Sequence, residues 1–184
     1  MRRTAHVWAV GCFCLVVITI GQAAWAQSGP SGNVGFRTEF LNHFKSSSGK
    51  MLSLAEAIPA DKYSWRPASG VMSVAEVLTH VAEVDLEYLS SSLNLKPPAD
   101  LDPKSLAKLQ EKDQVVAALR KTFDFVRTTV EKMPDSEMEK TTTLYGRSSS
   151  YRNVLLQLLH HSAEHVGQSI AYARMNSIVP PWSR

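Results

Sequence analysis

The pattern that most constrains this chain is an apolar run in alternating steps of three and four: Val116, Leu119, Phe123, Val126, Val130 and Met133. Such spacing lines one stripe of an α-helix, the a/d seam of a helical bundle. A half-buried strand would instead place its apolar residues at every second position. The helix carrying this seam is predicted over about 105–133, stopped by Pro134 and Asp135.

Three further stretches share the period. Phe36, Phe40, Phe44, Met51, Leu54 and Ile58 predict a first helix over about 36–58, ended by Pro59. Ser73 with Glu76 three residues on is a capping-box signature. It opens a second helix running to about Leu93, with Val74, Val77, Leu78, Val81, Val84 and Leu89 inward. A fourth is predicted over about 151–175, ahead of Pro180 and Pro181. The link at 63–67 reads as irregular, because Pro67 biases Arg66 away from helix. The long link around Pro97, Pro98 and Pro103, and the link at 136–150 with Gly146, read as loops. The expected class is all-α, a four-helix bundle of up-and-down or crossover type, without strands or internal repeats.

The N-terminus has to be set aside first. Arg2 and Arg3 precede an apolar run from Val7 to Ile20, and Ala24-Trp25-Ala26 offers a small-residue cut before Gln27. This is the layout of a secretory signal peptide over 1–26. The alternative, an uncleaved anchor, needs roughly 20 apolar residues, and the run is shorter. An exported protein, periplasmic or secreted and without a stable membrane anchor after cleavage, is therefore expected. Residues 27–35, rich in Ser and Gly, read as a flexible lead-in. The bundle is placed at 36–178 and a tail at 179–184.

Cleavage would remove both cysteines, Cys12 and Cys14, and leave about 158 residues, enough for one core. Without thiolate ligands, metal chemistry falls to histidine and carboxylate. Losing two arginines takes the formal charge from +3 to +1. No basic run with interleaved aromatics appears, so nucleic-acid binding is not expected.

On the fourth helix the inward stripe changes character. Val154 and Leu158 give way to His161, His165, Gln168 and Tyr172. His161 and His165 are one turn apart, about 6 Å between Cβ atoms, and two imidazoles so placed can reach one metal ion. Alone, the pair is weak evidence for a metal and reads more readily as two half-buried histidines bonded to backbone or water. On the second helix His80 lies in a stripe with Ser73, Val77, Val84 and Glu87, between two valines. A buried imidazole needs a polar partner, and the facing pair would supply it. Three neutral histidines with a fourth position open make a catalytic type of zinc site. Beyond them, Gln168 and, less directly, Glu164 and His43 are candidates to support the ligands. His160 is expected at the rim or in solvent, and Glu83 and Asp85 read as solvated helix charges.

The chain resembles the DinB/YfiT-like family of bacterial four-helix-bundle metalloproteins over nearly all of the mature sequence. The resemblance rests on residues 58–67 (Ile-Pro-Ala-Asp-Lys-Tyr-Ser-Trp-Arg-Pro), on 72–82 around His80, and on 161–168 around His161 and His165. It implies an up-down-down-up helix order, with His80, His161 and His165 as ligands of divalent zinc, nickel or iron. Many members have arginine where this chain has Val166, and histidine where it has Glu164. A substrate contact made by that arginine would be missing here.

Three functions follow as expectations. One is a metal-dependent hydrolase or transferase acting on a small-molecule substrate. The family's thiol-dependent branches fit export poorly, which favours water as nucleophile. The second is a metal-binding or stress-related bundle without turnover. The third is a structural bundle that dimerises through helix faces, a homodimer being known among relatives.

Overall fold

A computed structural model describes residues 35–183. The signal-peptide reading, and the lead-in apart from Gly35, lie outside the described residues. Five α-helices and one short hairpin follow in order: α1 (Phe36–Ala57), α2 (Val74–Glu87), α3 (Pro103–Leu106), α4 (Lys112–Lys132), β1 (Thr141–Leu144), β2 (Arg147–Ser150) and α5 (Tyr151–Met175). Four of the helices, α1, α2, α4 and α5, form the bundle.

The helix order can be read from side-chain contacts. Phe44 meets Phe123, Arg37 donates to the Met133 carbonyl at 2.7 Å, and Lys112 donates to the Ile58 carbonyl at 2.8 Å. The start of α1 thus faces the end of α4, and the two run antiparallel. Phe36 lies under Arg152 and Met51 touches Ser169, so α1 and α5 are parallel. Tyr172 bonds the Met72 carbonyl while Tyr88 packs on His161, so α2 and α5 are antiparallel. The result is up-down-down-up, with α2 packed between α4 and α5.

That placement buries α2 around much of its circumference: Val74, Ala75, Val77, Leu78, Thr79, Val81, Ala82, Asp85 and Leu86 are all buried. Its N-terminus is fixed by a complete set of partners. Val74 N–H bonds the Trp65 carbonyl at 3.0 Å and Ala75 N–H the Tyr63 carbonyl at 2.9 Å. Glu76 N–H bonds Ser73 Oγ at 3.2 Å, and the Glu76 carboxylate accepts from Ser73 N–H at 2.6 Å. The donors that a helix start normally leaves open are therefore filled. This accounts for the order of the irregular link, which Tyr63 anchors through a buried bond to the Ala55 carbonyl at 2.7 Å.

Three expectations need correction. The helix predicted from 105 is two elements. Asp102 caps Ser105 and Pro103 stands in the first turn, which starts α3; the chain then breaks and restarts at Lys112, whose ammonium satisfies the last carbonyls of α1. The second helix leaves α-geometry at Tyr88 and closes with a π turn over Tyr88–Ser92. The link at 136–150 is not strandless: Thr141–Leu144 pairs antiparallel with Arg147–Ser150. Tyr145 (φ 51°) and Gly146 (φ 74°) form its tip, both left-handed as a two-residue hairpin of the primed type requires. Among the described residues, no helix is long and apolar enough to cross a membrane.

The capping box sets where α2 begins and thus the register that carries His80. Ser73→Ala is expected to cost about 1 kcal/mol and to lower Tm by roughly 2–4 °C in a thermal melt.

Candidate metal centre

His80 lies in the middle of α2, and His161 and His165 lie one turn apart on α5. Because these two helices are neighbours and antiparallel, the three rings converge. Nε2 of His161 is 3.2 Å from Nε2 of His80 and 3.1 Å from Nε2 of His165. The ring centroids are 4.5–5.0 Å apart, and each pair of rings is steeply inclined. The three can present one ligand nitrogen each within a span of 4.8 Å. Bonds of about 2.0–2.1 Å in tetrahedral geometry separate ligand nitrogens by roughly 3.3–3.4 Å. The two distances from His161 Nε2 are within a few tenths of an ångström of that requirement.

Protonation of the cluster is opposed from within. Burial, followed by the adjacent His165 and His80 rings, pushes the His161 pKa down to about 4. Burial and His165 lower His80 as well, against a smaller opposing effect of Glu87. His161 Nδ1 is buried without a hydrogen-bond partner. Neutral imidazoles with converging nitrogens are the donor set that a divalent cation requires.

A hydrogen-bond chain fixes the form of His165. Tyr172 gives its hydroxyl hydrogen to the Met72 carbonyl at 3.1 Å, so its oxygen can accept. Gln168 Nε2 donates to that oxygen at 3.0 Å, which turns Gln168 Oε1 toward His165 Nδ1 at 2.7 Å. Nδ1 must then carry the hydrogen, and the Nε2 lone pair faces the other two rings. Orientation of a metal-binding histidine by a partner on its second nitrogen is the general arrangement. Met72 immediately precedes the α2 cap, so the backbone that starts α2 also sets the tautomer on α5.

The other sequence candidates fall elsewhere. Glu164 does not approach the triad; it pairs with His160 at 3.7 Å on the outer face of α5. His43 is exposed and lines a groove with Ser46, Lys50, Leu159 and His160, on the opposite flank of α5. Asp85, read as a solvated charge, is fully buried. At five residues from His80 it points about 140° away on the helix wheel, and packing of α2 on two sides leaves that direction inside the core. Neither carboxyl oxygen has a hydrogen-bond partner of ordinary geometry, and neither does the nearby Ser162 hydroxyl. Burial holds the Asp85 carboxyl well above the usual carboxylate range, with Ser162 opposing weakly.

The sequence reading missed Tyr88, which packs beside the triad, and its partner Tyr145. Tyr88 stands edge-on to His161, with centroids 6.2 Å apart, and its hydroxyl bonds that of Tyr145 at the hairpin tip. A usable signal was present: Tyr145-Gly146 between two Thr/Ser runs fits a two-residue hairpin.

Comparison with known proteins agrees with this architecture. A family model described as the DinB superfamily matches residues 43–169. The uncharacterized protein YjoA of Bacillus subtilis (strain 168) is 28% identical over 144 residues, spanning 74% of this chain and 88% of that protein. The crystal structure of a DinB-like protein from Bacillus cereus superposes with a TM-score of 0.67 at 17% identity, covering 77% of this chain and 93% of that one. YfiT from Bacillus subtilis, described as a probable metal-dependent hydrolase with an unusual four-helix bundle topology, superposes with a TM-score of 0.59 at 14% identity, covering 78% and 89%.

Asp85 generates a pH prediction. With its folded pKa raised, the native state holds a proton that the unfolded chain releases above about pH 4. Its contribution is therefore full at low pH and declines as pH rises toward the folded value. Asp85→Asn removes that decline. The Tm difference, variant minus parent, is expected to widen in the variant's favour from pH 5 to pH 8, reaching a few degrees; a constant difference would contradict a buried neutral carboxyl.

Proposed function

The chain belongs to the DinB superfamily, and on that premise we propose that His80, His161 and His165 hold a divalent metal ion and that the protein is a metal-dependent hydrolase of small molecules. The observation that carries this reading is the approach of His161 Nε2 to the Nε2 atoms of His80 and His165, at 3.2 and 3.1 Å. Zinc, nickel and iron all accept such a nitrogen set.

The bound ion would lower the pKa of water in the remaining position and polarise a carbonyl. The chain's own residues do the rest. Gln168, through Tyr172 and the Met72 carbonyl, presents the lone pair of His165 to the site. Burial in the α2–α5 seam keeps His161 neutral and limits competition by protons. Glu87, two turns beyond His80 on the same stripe, leaves a carboxylate at the rim. The description of YfiT as a probable metal-dependent hydrolase supports the same reading. A hydrolase is favoured over a thiol-dependent transferase because we also place the protein outside the cytoplasm, where low-molecular-weight thiols are scarce. A mature chain starting at Gln27 in material recovered from its host would support that placement.

Protein purified without a histidine tag is expected to carry about one equivalent of metal by elemental analysis, and His161→Ala/His165→Ala to carry none. Chelation should lower Tm by several degrees, since a ligand at a hundred times its Kd adds about 2.7 kcal/mol. Metal retained by the double variant would contradict the ligand set. Stoichiometric metal without hydrolysis of any ester or amide in a broad panel would leave a metal-binding bundle and end the hydrolase reading. Gln168→Ala is expected to weaken metal binding about 10- to 100-fold with little change in the Tm of the metal-free protein.

A further inference from the structure

Beyond the three histidines, the least economical piece of the structure is Tyr145. It is an aromatic residue with left-handed backbone (φ 51°) and is 71% exposed. Neither fact is favourable: the left-handed region is strained for bulky residues, and an exposed ring gains little from burial. Its hydroxyl, however, is hydrogen-bonded to that of Tyr88, fifty-seven residues away, with the rings nearly perpendicular and 6.3 Å apart. Tyr88 in turn rests against His161 at the point where α2 opens into its π turn. Such turns re-aim side chains and recur at functional sites. Two further bonds hold the hairpin and the start of α5 in place, one from the Thr142 hydroxyl to the Ser92 carbonyl and one from the Tyr151 hydroxyl to the Leu93 carbonyl at 3.1 Å.

These contacts enclose a pocket of about 230 Å³, walled by Val84, Glu87, Tyr88, Ser91, Leu144 and Tyr145. Val84 and Glu87 stand four and seven residues beyond His80, on its own stripe, so the pocket begins one helical turn from the triad. Drug-sized ligands occupy roughly 300–1,000 Å³, which limits this pocket to smaller molecules. Among the described residues, no lysine, arginine or histidine lines it, while Glu87 contributes a negative charge. Val84 and Leu144 supply apolar walls. The two tyrosine hydroxyls carry two hydrogens and share one contact with each other, so one hydrogen remains for a ligand.

We propose that the Tyr88–Tyr145 hydroxyl pair is the carbonyl-binding element of the site, and that the ligand is a small ester or amide whose carbonyl oxygen accepts the free hydroxyl hydrogen. The proposal rests on the metal-dependent reading above and names the substrate class for it. Tyr145 is a specificity residue on this account, carried over the pocket by the left-handed turn of the hairpin.

The test uses the full chain loaded with cobalt(II), whose visible absorption reports both metal binding and ligand approach. Acetamide, a small amide that does not chelate the metal, is the probe. The parent protein is expected to bind it and to show a change in that absorption. Tyr88→Phe/Tyr145→Phe should weaken acetamide binding about 3- to 10-fold, as loss of one hydrogen bond implies, with cobalt content unchanged. Should the double variant be unstable, Tyr145→Phe alone, at an exposed side chain, is expected to give a smaller loss in the same direction. An unchanged acetamide constant in a folded, cobalt-loaded variant would overturn the proposal, as would absence of acetamide binding by the cobalt-loaded parent. Failure of the parent to take up cobalt at all would instead remove the metal reading, and this inference with it.

Discussion

Everything at the centre of this molecule depends on one constraint: an imidazole buried between two others cannot easily hold a proton. His161 is enclosed by the α2–α5 seam, and the nearest polar atoms to its Nε2 are the Nε2 atoms of His80 and His165. Charging any of the three would place a cation beside its neighbours in a desolvated site. With Gln168 on its Nδ1, His165 turns its Nε2 lone pair toward His161, whose own Nδ1 has no partner. A divalent cation would accept converging lone pairs there and bring a countervailing charge into the seam.

The architecture around the triad follows from how the chain gets α2 next to α5. In an up-down-down-up order the second and third bundle helices are parallel, so a crossover must carry the chain back between them. Residues 93–111, with α3 folded inside them, are that crossover. The short connections flanking it have their own tasks. The link from Tyr63 to Ser73 fills the open donors at the start of α2, and through Met72 it also directs the Tyr172–Gln168–His165 chain. The link before α5 folds into a hairpin that delivers Tyr145 to Tyr88. Loops that on a simpler bundle would only connect helices here hold the orientation of the site.

The sequence showed most of the frame and the three histidines, because both are written in helical periodicity. Steps of three and four located every bundle helix, and the change from Leu158 to His161 within one stripe marked where the seam becomes polar. What periodicity could not express was burial on more than one face. Asp85 looked like a surface charge because a single inward stripe was assumed, whereas α2 packs against both α4 and α5. The same assumption offered Glu164 and His43 as supports for the ligands; the first lies outward on α5 and the second on its far flank. The hairpin escaped notice because its strands are short and polar on both faces, with Leu144 its sole buried side chain among Thr141–Ser150. The π turn at Tyr88 leaves no local signature at all, and its position follows from packing of the residues around it.

The most direct test of the account is the coordination of the native metal, by anomalous diffraction or X-ray absorption on protein purified without a histidine tag. The account predicts one ion with three imidazole nitrogens at about 2.0–2.1 Å, supplied by Nε2 of His80, His161 and His165. An ion bound elsewhere, or these three histidines found protonated and without metal in protein supplied with zinc, nickel and iron, would contradict it.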